Sequence, residues 1–251
     1  MKRKWFVDFQ INNFSRLQWI VHIGVWLSVV WLIIDAVTGN LTANPIQAAT
    51  QRAGKSALIL LSLSLACTPL SSIFGLKQFG RVRRALGLYA FLYAAGHLIL
   101  FAGVDYGFNL KFIWADSANK PYIWVGLAVL LILLILAVTS FRWWMRYLGK
   151  TWKQLHRLVY VAAPLVILHY AWVKKGNLFT LSGDEVQPLL FGLLIVLLLI
   201  SRIPSVRKGG SSGVTRLRGR VSGWAASLHK AYLSLGDGIR GFPHMLRRDT
   251  D

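Results

Sequence analysis

Apolar residues along this chain run in blocks of helix-spanning length, without the period-two alternation of half-buried strands. Six blocks can be marked, at residues 17–37, 56–74, 85–103, 122–140, 154–173 and 186–203. A hydrocarbon layer of about 30 Å needs about 20 mostly apolar residues per crossing helix, and only helices or closed barrels satisfy their own backbone there. The pattern therefore predicts an all-α membrane protein, a six-transmembrane-helix bundle occupying residues 1–205. The second and sixth blocks are the shortest, and Pro69 and Pro188 stand near their ends, where proline is best tolerated. Residues 1–13 are basic but lack the short apolar core and small-residue cleavage site of a removable signal, so the first block is expected to stay as a spanning helix.

Polar punctuation orients the bundle. One side collects Lys2, Arg3, Lys4 and Arg16, then Lys77, Arg81, Arg83 and Arg84, then Arg142, Arg146, Lys150 and Lys153. The other has Arg52, Lys55, Lys111, Lys120, Lys174 and Lys175, diluted by Asp105, Asp116, Asp184 and Glu185. The side richer in lysine and arginine faces the cytoplasm, which puts both termini there. Trp19, Trp143, Trp144, Trp152 and Trp172 fall near predicted helix ends, as interfacial anchors do. Beyond Pro204 a polar Gly/Ser break leads to Val214, Leu217, Val221, Trp224, Leu228 and Leu235 among arginines. That spacing makes residues 206–251 a basic cytoplasmic tail with an amphipathic helix, suited to an anionic lipid surface.

Composition agrees, with 55% hydrophobic residues and a mean hydropathy of +0.50. A net charge of +20 would suggest nucleic acid in a soluble protein. Here the basic residues lie between apolar blocks, so membrane lipid is the expected partner and nucleic acid is not. The single cysteine, Cys67, excludes a disulfide framework and iron–sulfur ligation. No glycine-rich nucleotide loop is present, and the chain shows no internal repeat of useful strength.

Four of the six histidines, His22, His97, His156 and His169, stand inside predicted spans, where ionisable residues are costly and mark function. His97 and His169 come to similar depth in the outer half, on helices that run the same way. Two facing imidazoles can hold one haem iron from both sides, and Gly96 beside His97 allows close approach of a flat ligand. His156 lies thirteen residues before His169, about 20 Å along a helix. That separation suits one haem near each membrane face. The two point some 140° apart on a straight helix, and Pro164 between them predicts a kink. His22, near the inner end of the first span, is the candidate partner of His156; a hydrogen bond to a neighbouring helix is the other reading. Arg83, Arg84 and Arg157 are candidate partners for haem propionates, with Arg81 read as a topology anchor. Asp35 is read as a carboxylate at the outer water boundary, and His229 and His244 as solvated residues of the tail.

Residues 83–97 (RRALGLYAFLYAAGH), 139–160 (TSFRWWMRYLGKTWKQLHRLVY) and 169–172 (HYAW), with TPL at 68–70, resemble the MsrQ (YedZ) family of haem-binding membrane subunits within the ferric reductase-like transmembrane superfamily. The resemblance covers roughly residues 17–203. It implies haem b, one or two per chain, with His97, His156 and His169 matching the family's ligand histidines. It further implies electron delivery from the quinone pool or a cytoplasmic flavin reductase to a periplasmic molybdopterin-dependent methionine sulfoxide reductase, in a bacterial inner membrane. The sulfoxide chemistry would then lie on the partner. FMN is implied by the resemblance alone. A stand-alone ferric or quinone reductase is the alternative expectation, and a haem-free scaffold or transporter the third.

Overall fold

The computed structural model describes residues 16–174 and 186–203, with isolated positions beyond. The expectations for residues 1–13, for the amphipathic tail and for His229 and His244 fall outside those residues. The chain divides after Ile203 into two units, of which the first is described here.

It is all-helical, with no strand among the described residues. Its elements are α1 (Arg16–Val37), α2 (Pro45–Ser72), α3 (Lys77–Ile99) continuing into a π-helical turn (Leu100–Asp105), α4 (Leu110–Ser117), α5 (Pro121–Val138), α6 (Arg142–Leu148), α7 (Lys150–Leu155), a 3-10 turn (His156–Leu158), α8 (Val159–Val173) and α9 (Val186–Ile200). Five stretches are long and apolar enough to cross a membrane: α1, α2, α3 with its π turn, α5, and α7 through α8. At 15 residues, α9 is shorter than a full crossing. This is a membrane protein of several apolar helices.

Local chemistry sets the helix starts. Asn44 caps α2 by accepting from the Gln47 amide at 3.1 Å, with Pro45 in the first turn, where its missing N–H leaves nothing unsatisfied. The helix so begun starts eleven residues before the predicted block, because Gln47, Gln51, Arg52 and Lys55 interrupt its apolar pattern without breaking its backbone. Pro121 opens α5 in the same way. Gly149, at φ 51°, turns the chain from α6 into α7 and so aims the segment that carries His156.

The core is centred on α2, whose Leu58, Leu61, Leu65 and Cys67 are buried against Val82, Leu86 and Ala90 of α3. The most extensive pairings are α2 with α3 and α5 with α8, both antiparallel. On the other side α1 runs along α3, where Tyr93 donates to the Val25 carbonyl at 2.8 Å. The outward faces stay apolar, with Trp26, Trp31, Leu131 and Leu197 exposed, as lipid-facing residues are. Helix α9 lies antiparallel to α8: Tyr170 and Lys55 both donate to Gln187 at one end, and Arg202 donates to Tyr160 at the other.

Candidate haem site

His97 near the end of α3 and His169 near the end of α8 face each other, their ring centres 6.2 Å apart and their planes at 88°. Each ring is fixed from behind. The Nδ1 of His97 lies 2.8 Å from the Thr50 carbonyl of α2, and the Nδ1 of His169 lies 2.7 Å from the Tyr122 carbonyl of α5. A carbonyl can only accept, so both Nδ1 atoms carry the proton and both Nε2 atoms keep a lone pair. Metal-binding histidines are held by this same second bond.

Room for the rings comes from two glycines. A Cβ on Gly54 would stand 3.0 Å from Nδ1 of His97, and one on Gly126 would stand 2.7 Å from Cε1 of His169. Side chains at these positions would displace the imidazoles.

The geometry fits an iron porphyrin better than a bare ion. Two metal–imidazole bonds of about 2.0–2.1 Å laid end to end, with each ring centre about an ångström behind its nitrogen, span about 6 Å. Among the described residues no group of three or more His, Cys, Asp or Glu side chains gathers to hold a metal. Two imidazoles would leave a free ion short of ligands, whereas a porphyrin brings four nitrogens of its own.

His156 has different surroundings. It forms part of the 3-10 turn, its ring 4.1 Å from that of Trp152, and its Nε2 lies 3.2 Å from the Thr139 hydroxyl at the end of α5. Trp152 donates to the Thr139 carbonyl at 2.8 Å, tying α7 to the end of α5. His22 meets Tyr89 of α3, with 2.6 Å between Nδ1 and the phenol oxygen. The structure thus joins His97 to His169 and sets His22 and His156 against different neighbours. Arg83 is within electrostatic reach of His156, and its carbonyl accepts from Ser64 at 3.0 Å. Arg84 and Arg157 are exposed.

Several residues around these sites escape a reading by type and spacing. Thr50 and Tyr122 act through backbone carbonyls, which any residue supplies. Arg202 reaches from the end of α9 to the Leu65 carbonyl at 2.8 Å and to Tyr160 at 2.9 Å, with its guanidinium 5.1 Å above the tyrosine ring. Near the end of α1 Asp35 pairs with Arg52, and Asp116 of α4 accepts from both Tyr106 and Lys120.

Residues 53–167, which hold both outer histidines' glycines, His97 and His156, match the family described as ferric reductase like transmembrane component. A protein-methionine-sulfoxide reductase heme-binding subunit MsrQ from Rhodospirillum rubrum is 44% identical over 190 residues, covering 75% of this chain and 88% of that protein. The chain belongs to the MsrQ family. Its relatives of the same name from Deinococcus radiodurans (45% identity; 73% of this chain, 87% of the relative) and Caulobacter vibrioides (35%; 78% and 93%) extend the match across distant bacteria. No solved structure matches.

Proposed function

We propose that this family member is the haem-binding, electron-transferring membrane subunit of a protein-methionine-sulfoxide reductase system. The observation that carries the reading is the facing pair His97 and His169, each with Nδ1 committed to a helix carbonyl and Nε2 left as a donor to metal. A haem iron bound there supplies one-electron redox chemistry. His97 and His169 would hold that iron between them, and a haem held by two imidazoles would serve electron transfer in preference to oxygen binding. The surrounding apolar helices exclude water from it, and the two carbonyls raise the basicity of the ligating nitrogens.

The remaining assignments follow the charge pattern and the family. The sixth crossing is α9, anchored to α8 at both ends, and both termini are cytoplasmic. The membrane is the bacterial inner membrane. Electrons enter at the basic cytoplasmic face, from the quinone pool or a flavin reductase, with FMN resting on the family resemblance, and leave toward a periplasmic molybdopterin reductase. Repair of methionine sulfoxide consumes two electrons, so the partner draws on this chain twice per lesion. A second, inner haem b is held by His156, with His22 as its candidate partner once released from Tyr89, and Arg83, Arg84 and Arg157 near its propionates.

Haem quantification with a redox titration tests the scheme. His97→Ala and His169→Ala should each abolish one transition and its share of haem; retention of full haem and both transitions in either variant would remove the outer pair as ligands. His22→Ala with an unchanged haem-to-protein ratio and spectrum would remove His22. Membrane-dependent methionine sulfoxide repair should vanish without the periplasmic partner. Reduction of ferric chelates at an undiminished rate without it would favour the stand-alone reductase.

A further inference from the structure

The two halves of the outer site are copies of one device. In each, a helix carbonyl, a glycine four residues later and a histidine 47 residues after the carbonyl come together: Thr50, Gly54 and His97 on α2 and α3, and Tyr122, Gly126 and His169 on α5 and α8. Corresponding members lie 72 residues apart, and in both copies the carbonyl and glycine sit on one helix of an antiparallel pair and the histidine on the other.

The four-residue step has a physical cause. In an α-helix the carbonyl of residue i already accepts the amide of residue i+4 and keeps one lone pair turned outward. The side chain of residue i+4 lies over that oxygen, which is how serine and threonine reach it from the same position. Glycine at i+4 uncovers the lone pair. An imidazole from the neighbouring helix can then donate to it while lying in the space the missing Cβ leaves. Contact distances agree: the nearest imidazole atom would be 3.0 Å from a Cβ at Gly54 and 2.7 Å from one at Gly126. Gly80 in α3 meets nothing within 4 Å and Gly103 in the π turn meets the Phe108 ring at 2.7 Å, so a histidine seated in the space is particular to Gly54 and Gly126 among the described glycines.

We infer that Gly54 and Gly126 are positioning residues that, with the Thr50 and Tyr122 carbonyls, set the orientation and basicity of the two outer haem ligands. This rests on the assignment of His97 and His169 as those ligands. A methyl group at either position pushes the ring off its carbonyl, turning the Nε2 lone pair away from its partner and weakening the Nδ1 bond together. Gly126→Ala is the more severe, because its contact is closer. Loss of such a second bond weakens metal retention by about 10–100-fold.

Full-length protein carrying Gly54→Ala, Gly126→Ala or Gly80→Ala, purified with its haem, tests the inference through haem stoichiometry, the low-spin electron paramagnetic resonance signal and a redox titration. The expected result is a shifted or lost outer transition in the first two, larger for Gly126→Ala, with the inner transition and the Gly80→Ala protein unchanged. If Gly126→Ala does not accumulate, the same change is made in His169→Ala protein, where the ring it strikes is gone. Recovery of folded protein supports the inference, and continued failure overturns it. Wild-type signal and potential in both glycine variants, with haem lost in His97→Ala and His169→Ala, would overturn the inference and leave the ligand assignment standing. Full outer haem in the histidine variants would instead overturn the assignment itself.

Discussion

At the scale of single residues, the connection through α4 shows how charge is managed between helices. Asp116 is held below the usual carboxylate range by hydrogen bonds from Lys120 and Tyr106. Lys120 is raised in turn, chiefly by the same carboxylate 2.5 Å away. The Tyr106 phenol, donating to Asp116 and close to Asp105, is pushed up to about 12. Folded Tyr106 thus holds its proton more tightly than an unfolded tyrosine at about 10. Its contribution to stability is complete below pH of about 10 and is lost as pH rises through about 12. Asp116→Asn removes both the acceptor charge and most of that shift. In a spectroscopic titration of phenolate formation, one of the eight tyrosines should then ionise near the ordinary value; a curve identical to wild type would contradict the contact. His97 and His169 are legible at this scale, because an ionisable group inside an apolar block stands out by type. What fixes them is not. A carbonyl has no sequence signature, and Gly54 and Gly126 look like any small residues of a helix until a neighbour 43 positions later is folded onto each.

At the scale of elements, block hydropathy located the five stretches long enough to cross a membrane and the shorter α9, but not where every helix begins. The start of α2 at Pro45 is hidden by the exposed polar residues Gln47, Gln51, Arg52 and Lys55, and α4 and α6 are too short to register as blocks. The expected disturbance at Pro164 sits inside α8, while the departure from α geometry occurs at residues 156–158, where His156 packs against Trp152. A three-position recurrence at a 72-residue step is likewise invisible to a search for similarity, since the intervening residues differ freely. Helix α9 offers the clearest energetic test of how elements are tied. Arg202 makes two hydrogen bonds, one to α2 and one to α8, and stacks on Tyr160. A charged hydrogen bond contributes about 1.5–3 kcal/mol. Arg202→Met keeps the apolar stem and removes the fork, and should destabilise the bundle by about 2–4 kcal/mol in detergent unfolding. Arg202→Lys should recover little, because one ammonium cannot span both acceptors with guanidinium geometry. Full recovery by lysine would mean that charge alone fastens α9.

At the scale of the whole molecule, the two ends of the bundle differ more than a count of charges suggests. Both ion pairs among the described residues lie at the end assigned to the outside, where Asp35 takes Arg52 and Asp116 takes Lys120. The opposite end carries Arg16, Lys77, Arg81, Arg83, Arg84, Arg142, Arg146, Lys150 and Lys153 without an acid paired to any of them among those residues. Pairing therefore deepens the charge asymmetry on which the proposed orientation rests, and it leaves the unpaired basic end as the one suited to anionic lipid. The orientation can be measured with little disturbance because Cys67 is 1% exposed and should stay silent toward thiol reagents. Ala118→Cys marks the turn between α4 and α5, and Thr151→Cys marks the start of α7; both positions are exposed. A membrane-impermeant maleimide added to intact cells with a permeabilised outer membrane should label Ala118→Cys and spare Thr151→Cys, with the second labelled only after the inner membrane is opened. The reverse pattern would invert the bundle, put His97 and His169 on the cytoplasmic side, and leave the periplasmic reductase to draw its electrons from the His156 end.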